Sequence, residues 1–131
     1  MEHEESLWIE LAKTDLGVAK HLNSQYYPKP LEIICYHCQQ AAEKAIKAII
    51  AAYGAQGGMP KKHNLSFLLE QMKNMIEIPE KYYDYADELT PYGIAVRYPN
   101  ELYIEERHVL NAIQHAEELV VWAEKILTKL S

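Results

Sequence analysis

Between Leu31 and Tyr53 an apolar residue, or an adjacent pair, returns at every helical turn: Leu31, Ile34/Cys35, Cys38, Ala41/Ala42, Ala45/Ile46, Ile49 and Ala52/Tyr53. At 3.6 residues per turn the stripe runs for roughly six turns, and only other long helices can cover an apolar face of that length. Its small side chains, alanines and cysteines, invite close helix packing. The other side of the same helix carries Gln39, Gln40, Glu43, Lys44 and Lys47 and reads as a polar face, with Glu43 and Lys47 in the favourable i,i+4 order of acid before base. Gly54, opening Gly54-Ala-Gln-Gly-Gly58, stands where a helix ends on a left-handed residue.

The rest of the chain supplies helices to pack against this one. Leu7, Trp8, Leu11, Ala12, Val18, Ala19 and Leu22 predict a first helix over Ser6 to Asn23, closed by the two prolines of Asn23-Ser-Gln-Tyr-Tyr-Pro-Lys-Pro30. Asn64 is placed as the N-cap of a short helix reaching about Met75, buried through Leu65, Phe67, Leu68, Leu69 and Met72. Pro79 fits the first turn of a fourth helix that runs to about Ile94, with Pro91 and Gly93 kinking or fraying its end. Pro99 makes Arg97 to Tyr103 a loop, and a fifth helix follows from about Glu105 to Leu130 with its stripe at Leu110, Ile113, Ala116, Val120, Ala123, Ile126/Leu127 and Leu130. No alternating run marks a strand and there is no internal repeat. The expected fold is all-α: an up-and-down antiparallel bundle of about five helices in a single domain spanning residues 1–131.

Thirteen Lys and Arg against 19 Asp and Glu give a net charge of −6, so a nucleic-acid or nucleotide site must be a local basic patch rather than a general field. No apolar stretch approaches the roughly 20 residues of a membrane span, and the acidic start Met1-Glu-His-Glu-Glu5 is unlike a secretory signal. A cytoplasmic protein without membrane contact is expected. In that reducing setting Cys35 and Cys38 read as buried thiols, since no second Cys/His pair completes a zinc site around Cys35-Tyr-His37-Cys38. Glu105-Glu-Arg-His108 is a lone Glu-x-x-His, where a di-iron bundle needs two. No metal and no cofactor are expected. Trp8 and Trp122 fall at core spacing, and the tyrosines Tyr82, Tyr83, Tyr85 and Tyr92 suit either a subunit contact or a solvated face.

One set of residues could carry chemistry together: Lys44 and Lys47, Lys61-Lys62-His63, and Arg97, whose planar fork suits phosphate. Around these residues the sequence resembles the HEPN domains. The matching pieces are Trp8 with Ala12-x-x-Asp15-Leu16, Cys38-Gln-Gln-Ala-Ala-Glu-Lys44-Ala-x-Lys47-Ala, Lys62-His63-Asn-Leu65, and Arg97-Tyr-Pro99, in order across almost the whole chain. The resemblance implies a helical bundle that dimerises and is encoded beside a minimal nucleotidyltransferase, as a toxin–antitoxin-like pair. It also implies that ribonuclease members use an Arg followed after four to six residues by a His. Here Arg97 matches the arginine, while Leu102, Tyr103 and Ile104 stand where the histidine would fall. The resemblance therefore points to a nucleotide- or RNA-phosphate-binding module with Arg97, Lys44, Lys47 and Gln40 as contacts. Its alternatives are a divergent metal-independent endoribonuclease using Arg97 with Tyr103 or His63, and a non-catalytic module dimerising through Tyr82 and Tyr85.

Overall fold

The computed structural model describes residues 3–54, 58–95 and 102–130. Two long helices form first, α1 (Glu4–Gln25) and α2 (Leu31–Ala52), then the short α3 (Leu65–Glu70), α4 (Glu80–Leu89) continuing into a 3₁₀ turn (Thr90–Ile94), and α5 (Glu106–Leu130). There is no strand among the described residues. α2 is central: it packs on α1 along most of its length, on α5 along its other side, and on the 3₁₀ turn near its middle. Lys13–Glu124 at 2.7 Å and the Lys20–Glu117 pair step along the α1–α5 seam in opposite chain order, so α5 runs antiparallel to α1 and parallel to α2. These pairs are exposed and contribute little stability.

Ala12 and Ala19 of α1 and Ala41, Ala45 and Ala48 of α2 are fully buried, which lets the helix backbones approach and leaves Ile34, Ile46 and Ile49 to fill the core. The α1 stripe is not the one expected. Ile9, Ala12, Leu16 and Ala19 face the core, while Leu7, Leu11 and Val18 lie at 51%, 49% and 36% exposure. The helix has apolar residues on two sides, and the side that meets α2 is the one whose small alanines allow contact. In α5 the expected Ala116, Val120 and Ala123 are buried, but the first turns are shifted by one position: Val109 and Ala112 are buried and Leu110 is exposed.

The ends follow local chemistry. Gly54 takes φ +68° after Tyr53, the left-handed exit expected of it. Asn64 caps α3 by accepting from the Phe67 N–H at 3.0 Å, but α3 ends at Glu70 and Phe67 is 41% exposed. α4 stops at Leu89 because Pro91 cannot continue an α-helical ladder, and the chain tightens into the 3₁₀ turn instead. His108 acts as a cap: its Nδ1 accepts from the Glu105 N–H at 2.9 Å, which gives the Glu-x-x-His spacing a structural purpose at the start of α5.

Tyr82 and Tyr85 of α4 turn inward against α5. Tyr82 is buried and stacks on Trp122 at 4.4 Å, and Tyr85 stacks on His115 at 4.0 Å while donating to Glu118 at 3.1 Å. Tyr82 and Tyr85 thus join α4 to α5 within one chain, so neither a solvated tyrosine face nor a contact surface made by Tyr82 is what the helix presents. Both tryptophans are half-buried at the edge of the core rather than inside it.

Candidate functional site

The polar side of α2 is not a solvated face. Gln39 is fully buried, and Glu43 and Lys47 are 4% and 7% exposed. A carboxylate this deep needs several hydrogen bonds to remain charged. Glu43 has them: Oε2 accepts from Lys47 Nζ at 3.1 Å, and Oε1 accepts from Gln39 Nε2 at 3.1 Å and pairs with His63 Nδ1 at 3.0 Å. Burial alone would push the Glu43 carboxyl up; the bonds from His63, Gln39 and Lys47 outweigh it and hold the group below the usual carboxylate range. Lys47 is further covered by the Trp8 ring, 5.4 Å from its centroid.

A second carboxylate holds the α1–α2 seam in the same manner. Asp15 pairs through Oδ1 with His37 Nδ1 at 2.9 Å and accepts from Lys44 Nζ through Oδ2 at 2.6 Å. Each acid is bridged by one histidine and one lysine. Asp15 lies on the buried side of α1, a placement that hydrophobic periodicity does not reveal.

The Glu43 network orders the groups outside it. An ionised carboxylate only accepts, so Gln39 must donate through Nε2, which also reaches the His63 carbonyl at 3.4 Å, and its Oε1 is left to accept. Gln40 Nε2 makes that bond at 2.8 Å. By the same logic His63 donates from Nδ1, and in the neutral ring Nε2 carries the lone pair.

These outer groups open on a cleft of about 280 Å³ lined by Tyr36, Gln39, Gln40, His63, Asn64, Thr90, Gly93 and Ile94. Gly93 lets the 3₁₀ turn lie close on α2: a Cβ there would stand 3.3 Å from the Gln39 side chain, which would have to give by a few tenths of an ångström. Thr90 is spent on structure, accepting from Leu65 N and donating to the Ala86 carbonyl.

The sequence-predicted residues divide between the cleft and its support. His63 and Gln40 line it. Lys44 lies one turn from Gln40 on α2 but is held by Asp15, and Lys47 is held by Glu43 beneath the surface, so neither is a free cation. Tyr103 is 84% exposed and does not line this cleft. Arg97 lies outside the described residues, two positions beyond Ala95. Lys61 and Lys62 precede His63, are exposed, and have no ion-pair partner among the described residues; Lys62 stands over the Phe67 ring at 5.9 Å. Glu43 and Gln39, at the heart of the network, read from sequence as part of a polar face, and only their proximity to the segment carrying His63 reveals their part.

Cys35 and Cys38 are free and fully buried in the core. Burial, then the Glu32 and Glu88 charges, pushes the Cys35 thiol up to about 12, and burial followed by the Cys35 charge raises Cys38 further. Native protein is therefore expected to resist a thiol reagent at neutral pH, with both thiols labelled only after denaturation. Mass spectrometry of timed labelling checks this, and rapid labelling of folded protein would contradict the assignment. Among the described residues no group of three His, Cys, Asp or Glu side chains could hold a metal, and no helix is long and apolar enough to cross a membrane.

A bundle whose first two helices each carry a buried carboxylate tying down basic groups, beside a small cleft at a 3₁₀ turn, defines the class to compare. The HEPN domain model matches residues 5–126, and the chain belongs to the HEPN domain family. The fold is also that of solved structures: TT1696 from Thermus thermophilus (TM-score 0.79, 23% identity, covering 95% of this chain and 98% of that one), and ST0689, an archaeal HEPN homologue (0.72, 25%, all of both chains). A HEPN domain protein of Thermotoga maritima is similar at TM-score 0.69 and 28% identity, over 92% of this chain and 97% of that one. No curated protein matches the chain.

Proposed function

We propose that this HEPN domain binds a nucleotide or an RNA phosphate in the cleft between α2, the segment before α3 and the 3₁₀ turn. The observation that carries the reading is the meeting there of unspent polar groups on Gln40 and His63, with Lys61 and Lys62, which have no ion-pair partner among the described residues, next to His63 in sequence. Arg97 supplies a bidentate phosphate contact, with Lys44 one turn beyond Gln40. Lys44 and Lys47 otherwise act through Asp15 and Glu43. The module self-associates and works with a minimal nucleotidyltransferase as a toxin–antitoxin-like pair; family membership and the exposed Leu7, Leu11 and Val18 on α1 support self-association.

Arg97→Ala is expected to weaken nucleotide binding about tenfold to hundredfold, the size of a charged hydrogen bond at roughly 1.5–3 kcal/mol, without changing the thermal melt. Titration calorimetry checks it; unchanged affinity removes Arg97 from the site. A second reading, metal-independent cleavage of RNA, is favoured by one feature: Glu43 orients His63 as a carboxylate orients a general base. In that case wild-type protein cuts single-stranded RNA or tRNA in the presence of a chelator, and Arg97→Ala and His63→Ala do not.

A further inference from the structure

The cleft has a polarity that selects among nucleotides, and this inference rests on the binding reading above. Glu43 is a pure acceptor, Gln39 therefore donates inward and accepts outward, and Gln40 donates one N–H to Gln39. The relay leaves Gln40 Oε1 without a partner among the described residues, at the rim of the cleft. Gln40 cannot flip its amide to offer nitrogen in place of oxygen without setting two carbonyl oxygens against each other, and Gln39 cannot flip without turning an oxygen onto the Glu43 carboxylate. The buried acid thus fixes which end of the Gln40 amide is the oxygen, an acceptor, with the second Nε2 hydrogen beside it. His63, donating from Nδ1 to the same acid, adds a second acceptor at Nε2 when the ring is neutral.

An acceptor at the rim of the cleft matches a group with donor hydrogens and opposes a carbonyl placed against it. The space, about 280 Å³, sits at the lower end of the range for small-molecule sites, and Tyr36 and Ile94 give it apolar walls. We propose that the cleft takes a nucleobase bearing an exocyclic amino group, read by Gln40 Oε1, with Glu43 and Gln39 as positioning residues that hold the amide's direction. Keto bases place a carbonyl oxygen against Gln40 Oε1 and are disfavoured.

The test measures affinities of the full chain for AMP, CMP, IMP and UMP by calorimetry. AMP and CMP should bind about tenfold or more tightly than IMP and UMP, the effect of one good base-edge contact. Gln40→Leu, at a partly exposed position and checked for its fold by circular dichroism, should bring the four affinities together by weakening AMP and CMP alone. Equal affinities in wild-type protein, or a preference for IMP and UMP, overturn the selectivity while leaving nucleotide binding in place. Absence of binding for all four overturns the binding reading and the selectivity with it.

Discussion

Glu43→Ala is expected to destabilise the fold by about 3–5 kcal/mol, because removing one partner of a buried ion pair leaves the other charge uncompensated. Lys47, 7% exposed, would keep its ammonium with only the Trp8 face beside it, and Gln39 would lose its inward acceptor. Urea unfolding measures this, and a loss under about 1 kcal/mol would mean that Lys47 reaches water easily, as a surface pair does. The pH dependence has a definite sign. The Glu43 carboxyl is held below its ordinary value of 4.5 in the fold, so its contribution is present above that value and is lost as pH falls through the folded pKa. Wild-type stability should decline in acid below about 4.5, and Glu43→Gln should lack that part of the decline.

Leu65→Ala should cost about 2–5 kcal/mol, the range for a truncated buried leucine. Leu65 is fully buried, its N–H donates to Thr90 Oγ1 at 3.1 Å, and it follows directly on His63 and Asn64. The same change should therefore weaken nucleotide binding as well as stability, since the cavity lies under the segment that presents His63. Destabilisation with native affinity would show that His63 is positioned by Glu43 alone.

Helix content and order were legible in the sequence because periodicity reports burial, and the α2 stripe required a helical partner on each side of it. Where the pattern misled, it did so for a reason that lies in packing. α1 offers two apolar sides, and which of them is buried depends on alanines fitting alanines across α2. α4 is rich in tyrosine because α5 supplies Trp122 and His115 as stacking partners, a contact between helices separated in sequence. The polar residues of α2 were visible as a group, but not that Gln39, Glu43 and Lys47 lie beneath the surface. That follows from the approach of α1 and of the His63 segment, neither of which leaves a mark within α2 itself. Gln40 and His63 were recognisable as candidates by resemblance; the cleft that joins them, and the relay that orients them, required the fold.

The central claim is that nucleotide binds in the cleft at Gln40, His63 and Gly93. Its most direct test is a nitrogen–proton correlation spectrum of labelled full-length protein titrated with AMP. The account predicts saturable shifts concentrated in the Gln39 and Gln40 side-chain amides and the backbone amides of His63, Asn64, Gly93 and Ile94. Saturable shifts confined to another surface, or a spectrum unchanged at millimolar AMP, would contradict it.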